Sequence, residues 1–392
     1  MIVGLLAVVA NISWAVTETT LYNFTGGQDG GDPKGDLIAD AAGNLYGVTV
    51  FGGTTGNGTV YEISPDGTGN WTEKVLHNFQ AGIDGGTPNA GLIMDIAGNL
   101  YGTTWAGGAH GQGTVFELTP NGEGTWTNNV IYSFQGLNDG SLPAGSLIFD
   151  GAGNLYGTAS ATGGYGQGVV FQLKHTAQGW VQRPIHQFVS HSLDGSSPGG
   201  ALAFDKLGNL YGTTVTGGLG VKGTVYKLTP VGKMWKPSII HAFGGGTDGA
   251  DPVGGVTIDA RGNVYGTTTT GGSSNDGIVF QLAPTSNGGW KYTIVYTFQG
   301  GNDGASPYAR VILDQRGNLY GATSTGGVNR GGVLFGIVHE AKGKWRENVI
   351  YSFSPAGNGA YGGVVRDAAG NLYGTTSFGG PAFQGMVFQV IP

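Results

Sequence analysis

The phrase DAAGNLYGTT at residues 367–376 is the last of seven near-copies, whose first aspartates are Asp40, Asp95, Asp150, Asp205, Asp259, Asp314 and Asp367. Successive copies lie 53 to 55 residues apart. A fixed period of this length means that one small unit buries its apolar face only by stacking on copies of itself. That excludes a single unrepeated core and leaves repeat architectures.

The unit is legible from end to end. After a phenylalanine comes G-G-x-D-G-x-x-P, then an apolar run such as SLIFD at 146–150, then x-x-G-N-L-Y-G-T-T and a Gly-Gly pair. G-T-V-F-x-L-x-P follows, and the unit closes on a tryptophan and another phenylalanine eight residues on, as in WTNNVIYSF at 126–134. The closing tryptophans are Trp71, Trp126, Trp180, Trp235, Trp290 and Trp345. Each apolar segment is short, rich in β-branched and aromatic residues and bounded by Gly, Pro, Asp or Asn, which predicts strands. No stretch carries sustained helical periodicity. D-x-x-G-N reads as a type I turn joining the first two strands. Its Asp accepts backbone N–H bonds at the first position, and its Gly takes a positive φ at the last.

Four antiparallel strands repeated seven times predict an all-β, seven-bladed β-propeller. The rival is an open solenoid. VTETTLYNF at 16–24 reads as a fourth strand with no first three, and GMVFQVIP at 385–392 as a third strand with no fourth. The fragments complete one blade, so the expected ring of residues 16–392 closes by the N-terminal strand pairing into the C-terminal blade.

The D-x-x-G-N-L-Y-G-T-T signature with its Gly-Gly pair resembles the GloVer (Gloeo/Verruco) tandem-repeat family over residues 17–392. The resemblance implies a bacterial, exported, β-propeller-like protein, and it carries no established activity with it.

Composition narrows the function classes. The net charge is −7 and there is no basic run, which argues against nucleic acid as a partner. There are no cysteines, which excludes disulfides, thiolate metal sites and cysteine nucleophiles. Neither a G-x-S-x-G elbow, an H-E-x-x-H helix nor a phosphate loop occurs, and no cofactor is implied. MIVGLLAVVANISWA at 1–15 has an apolar stretch followed by small residues at the −3 and −1 places for a cut after Ala15. It reads as a secretory signal peptide, the alternative being an apolar extension packed on the domain. It is too short to span a bilayer as a helix, and no later segment offers a span.

In a propeller the loops between blades, and those between second and third strands, share one face. The tight hairpins occupy the other. The long-loop face carries Asp29, Asp84, Asp139, Asp194, Asp248 and Asp303 at equivalent points, with Asn358 in the seventh copy. Such a ring is a weak cation candidate, because calcium loops gather several oxygens within one loop; Asp before Gly is first a turn former. A second ring, Asn57, Gln112, Gln167, Lys222, Asp276 and Gln384, with Gly331 in blade 6, precedes the third strands. It suits sugar hydroxyls or strand ends equally.

Departures from the repeat point to a binding sector. Phe378, Phe51 and Trp105 fall in blades 7, 1 and 2, with Phe383 and His110 in the same loops. Exposed rings so grouped, beside Gln112 and Gln384, suit stacking on saccharides or on apolar side chains of a partner. Blades 6 and 7 bring Tyr308, Arg310, Arg330 and Tyr361, the residue types a polysaccharide lyase or hydrolase needs as base and carboxylate-neutralising cation. His77, His186 and His241 alternate with tyrosine at one repeated position and read as packing residues, while His191 is a loop residue. The sequence thus predicts a monomeric, secreted or cell-envelope binding or scaffold module for polysaccharide or for an extracellular protein, with an enzyme near blades 6, 7 and 1 as the alternative.

Overall fold

The computed structural model describes residues 16–189, 193–340, 343–354 and 359–392. They form seven antiparallel sheets, each with a four-strand path, and the 3-10 turns Gly246–Asp248 and Gly301–Asp303 lie in two of the loops between sheets. Blade 2 is representative, running Ile93–Met94, Leu100–Thr104, Thr114–Pro120 and Trp126–Ser133. Blade 7 draws on both ends of the chain: Thr17–Asn23 pairs antiparallel with Met386–Ile391 outside Leu372–Thr376 and Val365–Arg366. The proposed signal peptide, His191 and Asn358 lie outside the described residues.

The innermost strand is shorter and more broken than the apolar runs imply. In blade 1 it splits into Gly31–Pro33 and Ile38–Ala39, pairing with opposite ends of Leu45–Phe51. The cause is the residue before the repeated proline. Asp32, Thr87, Leu142, Ser197, Asp251 and Ser306 all have φ between 54 and 59°, a region L-residues rarely enter and one the following proline further disfavours. The strain has a use, because it turns each N–H toward the preceding blade. Asp32, Thr87, Leu142, Ser197, Asp251 and Ser306 donate to the carbonyls of Gln384, Asn57, Gln112, Gln167, Lys222 and Asp276.

The core lies between blades. Each of its seven clusters mixes residues of two neighbours, such as Val60 and Phe79 of blade 1 with Leu100 and Phe116 of blade 2. At every junction the phenylalanine closing one unit meets a third-strand ring of the next, from Phe24–Tyr61 at 4.9 Å to Phe353–Phe388 at 4.8 Å. Each closing tryptophan lies beside the second-strand tyrosine of the blade before, Trp126 with Tyr46 and Trp71 with Tyr373 among them. These are edge-on or tilted contacts, which ring quadrupoles favour.

The repeated phrase also shows why it tolerates little change. Asp40 Oδ1 accepts from Ala42 N and Asn44 N, each at 2.9 Å, while Oδ2 accepts from Asn44 Nδ2 at 2.8 Å and Tyr46 Oη at 3.1 Å. Burial alone would raise this carboxyl, but the four bonds more than offset it and hold Asp40 below the usual range. The same outcome holds at Asp150, Asp205, Asp314 and Asp367. The motif's Asn and Tyr are therefore functional parts of the turn, a role the spacing alone did not reveal.

Candidate functional site: an asymmetric axial cavity

The segment between the repeated proline and the first strand faces the axis, and there the backbones of neighbouring blades nearly touch. A β-carbon on Gly35 would lie 2.7 Å from the Ala90 backbone, and one on Gly200 2.2 Å from Gly255 N. Small residues are required at the middle of this segment, and Gly35, Ala90, Gly145, Gly200, Gly254, Ala309 and Gly362 hold it. The flanking residues are freer to vary, and they do so unevenly. Blades 2 to 5 place Asn89 and Gly91, Ala144 and Ser146, Gly199 and Ala201, and Val253 and Gly255 there; blades 6, 7 and 1 place Tyr308 and Arg310, Tyr361 and Gly363, and Lys34 and Asp36. One side of the ring is therefore small, and the other bulky and charged.

The result is a cavity of about 620 Å³ on the axis, lined by all seven blades. Phe378, Val215 and Thr216, from the long-loop ends of second strands, form part of its wall and place it toward that face. On the bulky side the Tyr308 and Tyr361 rings meet edge to face at 4.9 Å. Arg310 Nε lies 3.2 Å from Asp36 Oδ2, and Asp36 Oδ1 accepts from Gly363 N at 2.6 Å. Lys34 Nζ pairs with Asp32 Oδ2 at 2.9 Å, while Asp32 Oδ1 is buried without a hydrogen-bond partner. Two cations thus stand at the cavity beside two aromatic rings, each cation with a carboxylate in contact.

The structure sorts the sequence-predicted residues into three groups. Tyr308, Arg310, Tyr361 and Phe378 converge on the cavity; Arg330, from the same set, does not line it. Arg330 and Phe383 instead occupy positive-φ positions in their loops, at 65° and 56°, where blades 1 to 3 place glycine. Phe51, Trp105 and Phe383 are 53%, 41% and 63% exposed on the long-loop side, outside the cavity wall, and His110 is exposed in the same loop set. Gln112 and Gln384 point inward to neighbouring blades. Gln384 lies against Gly26 and Gly31, and Gln112 against Gly136, all closer than a β-carbon there would allow.

The aspartate ring joins blades. Asp29 accepts from Tyr22 Oη at 3.1 Å and Thr25 N at 2.7 Å, and Asp139 from Tyr132 Oη and Gln135 N, each at 2.8 Å. Asp303 makes the corresponding pair with Tyr296 and Gln299. At Asp84, Asp194 and Asp248 the partner is His77, His186 or His241, at 3.2, 2.9 and 3.2 Å. The histidines that read as packing alternates are thus hydrogen-bonding alternates to tyrosine, a pairing visible in the sequence only as a Tyr/His seven or eight residues before each Asp. Burial pushes His77 and His241 down, and the adjacent aspartates only partly counter it. No group of three or more His, Cys, Asp or Glu among the described residues is arranged to hold a metal ion, and none of their helices is long and apolar enough to cross a membrane.

Seven four-stranded blades around an axial cavity with one differentiated side define a seven-bladed β-propeller. The particular lineage follows from the signature: the Gloeobacter/Verrucomicrobia repeat model matches residues 8–218 and 198–392, and the chain belongs to that family. No curated protein matches it in sequence. Among solved structures it is similar to a hypothetical selenium-binding protein from Sulfolobus tokodaii, with 9% identity over 82% of this chain and 80% of that one and a TM-score of 0.60. It is also similar to a protein named provisionally as a 6-phosphogluconolactonase from Bacteroides uniformis, with 14% identity, 80% and 83% coverage and a TM-score of 0.53. At these identities the likeness is one of fold.

Proposed function

We propose that this chain is an exported binding propeller that takes saccharide units of an extracellular or envelope polysaccharide at the long-loop mouth of its axial cavity. One observation carries the reading: Tyr308, Tyr361, Arg310, Asp36 and Lys34 are gathered on one side of a ring whose other side is small. Aromatic faces stack on the apolar faces of sugar rings, while a charged pair and nearby Ser146, Ser160 and Ser197 supply hydrogen bonds to hydroxyls. Phe378 at the cavity, with Phe51 and Phe383 exposed on the same face, extends the stacking surface outward. Export rests on the apolar stretch at residues 2–10 and on the family resemblance.

A second reading, polysaccharide cleavage, draws on the convergence of Tyr308, Tyr361 and Arg310 in one cavity. It ranks lower because Arg310 already faces Asp36, so its charge is not free to neutralise a substrate carboxylate. The two separate in one experiment. Retention of the protein on a panel of soluble polysaccharides, followed by sizing of the polymer, should show binding to an intact chain that Tyr361→Ala weakens at least tenfold. Shortened polymer would replace binding with cleavage. No retention on any polysaccharide would sink the glycan reading and leave a protein partner.

A further inference from the structure

We propose a second, separate ligand site: an anion-reading groove between blades 5 and 6 on the tight-hairpin face, which takes the carboxylate or sulfate groups of an acidic polysaccharide. The inference comes from comparing two grooves built at equivalent places. Between blades 2 and 3 the groove is lined by Asp95, Ile96, Glu117, Phe149, Asp150 and Trp180. Between blades 5 and 6 the corresponding residues are Asp259, Ala260, Gln281, Leu313, Asp314 and Trp345, and Arg261 and Arg316 have been added. The glutamate has become an amide, and two guanidinium groups stand where blades 2 and 3 have Ala97 and Ala152.

Those two arginines are available. Both are exposed, and neither side chain has a hydrogen bond or ion pair to the described residues. Asp259 and Asp314 make no ion pair with either arginine, because the oxygens of each accept from its own turn. Asp314 accepts from Arg316 N, Asn318 N, Asn318 Nδ2 and Tyr320 Oη. Gln281 donates to Tyr265 Oη at 2.8 Å, and His339 packs on Trp345 with ring centres 4.4 Å apart, so an aromatic pair lines the same groove as the two cations. On the same face of blade 7, Arg366 stands one residue before the turn aspartate rather than two after it, set over the Tyr320 ring at 5.4 Å and leaning on the turn at Gly370. Three arginines therefore follow one another around blades 5, 6 and 7 on one face.

The chemistry selects the ligand. A guanidinium fork binds carboxylate or sulfate in two parallel hydrogen bonds, and a run of forks suits a polymer that carries a charge on successive units. A planar anionic membrane fits less well. The chain as a whole carries −7, and the large apolar residues exposed at hairpin turns of this face, Ile96, Leu207, Val231 and Met234, belong to blades 2 and 4.

The test uses the full-length chain with polygalacturonate and dextran sulfate as acidic probes, neutral dextran as control, and vesicles of anionic lipid as the rival surface. Binding to at least one acidic polymer is expected, falling with added salt and at least tenfold in Arg261→Gln/Arg316→Gln, whose melting curve stays that of the parent. Arg261→Lys/Arg316→Lys should recover only part of the affinity, since it restores charge without the fork. Neither acidic polymer binding, equal binding by the glutamine variant, or preference for the vesicles over both polymers would each overturn the proposal. The axial reading stands or falls separately, because it is read with Tyr361→Ala.

Discussion

Arg310 of blade 6 reaches past blade 7 to place its Nε 3.2 Å from Asp36 of blade 1, and the same carboxylate holds Gly363 N of blade 7. Three consecutive blades therefore meet on one side chain. Blade 7 leaves room for this contact because it has Gly363, with no side chain, at the position where blade 6 has Arg310.

Breaking that pair should be felt in binding more than in stability. Both partners are partly exposed, at 34% and 21%, so a double-mutant cycle over Arg310→Ala and Asp36→Ala is expected to give a coupling of about 1 kcal/mol in urea unfolding. Polysaccharide retention should fall at least tenfold in either single variant. Unchanged retention would remove the pair from the proposed site.

Each turn aspartate should matter equally, because the network is repeated. Asp40→Ala leaves Ala42 N, Asn44 N, Asn44 Nδ2 and Tyr46 Oη without their acceptor, at a cost of about 2–3 kcal/mol. Asp205→Ala strips the same four donors and should cost the same within about 0.5 kcal/mol, with the two adding in the double variant. Unequal costs from denaturant midpoints would mean that blade context outweighs the motif.

The glycine of L-Y-G-T-T has a packing role. A β-carbon on Gly102 would lie 2.5 Å from Phe116 Cζ, so Gly102→Ala must displace a fully buried ring at about 3 kcal/mol. Gly111→Ala meets nothing within 4 Å and bears only the strain of its φ of 72°, about 1 kcal/mol. Thermal melts of the pair should preserve that order.

Two half-buried glutamates should make stability depend on pH. Glu73 and Glu347 are each pushed up to about 7, first by burial and then by Asp29 or Asp303. A raised carboxyl stabilises the fold fully below its unfolded value near 4.5, and that contribution is lost as pH rises through about 7. His77 and His241, pushed down, act in the opposite sense as pH falls below about 6.5, so the readout is the difference between variant and parent. Gln182, at the equivalent position, donates to Asp139 O at 3.0 Å, which identifies glutamine as the neutral replacement. Glu73→Gln/Glu347→Gln is expected to gain on the order of 1 kcal/mol per site over the parent at pH 8, after allowance for solvent screening, and little at pH 4.5. A constant difference across that range would show that neither carboxyl holds its proton.

The strand Thr17–Asn23 should be indispensable to cooperativity. It pairs with Met386–Ile391 and leads into Phe24, which is fully buried against Tyr61. Phe24→Ala is expected to cost about 3–5 kcal/mol, and deletion of 16–24 to broaden the calorimetric transition by exposing the edge of blade 7. A deletion that melts like the intact chain would show that the ring holds without it.

The architecture was legible because it is written seven times over. Local rules sufficed for the D-x-x-G-N turn, the alternating strands and the placement of Phe51, Trp105, Phe378, Phe383 and His110 on the long-loop side. The Tyr/His–Asp junctions were missed because their members sit in different elements, so no single strand pattern displays them. The two rings of loop residues looked like possible binding surfaces, since polarity alone does not say whether Gln384 points to solvent or against Gly26.

Period, composition and turn chemistry are local properties, and they alone determined the strand order, the blade count and the exclusion of cysteine chemistry. What the axis holds was decided by ring geometry. Tyr308, Arg310, Tyr361 and Asp36 lie in blades 6, 7 and 1 and span nearly the whole chain, and they become neighbours only because blade 7 packs beside blade 1. The same holds for Arg261 and Arg316, ordinary turn residues 55 positions apart until blade packing brings them to one groove. Side chains distant in sequence acquire joint chemistry only through the packing of buried surfaces between blades, and that packing is a property of the whole ring.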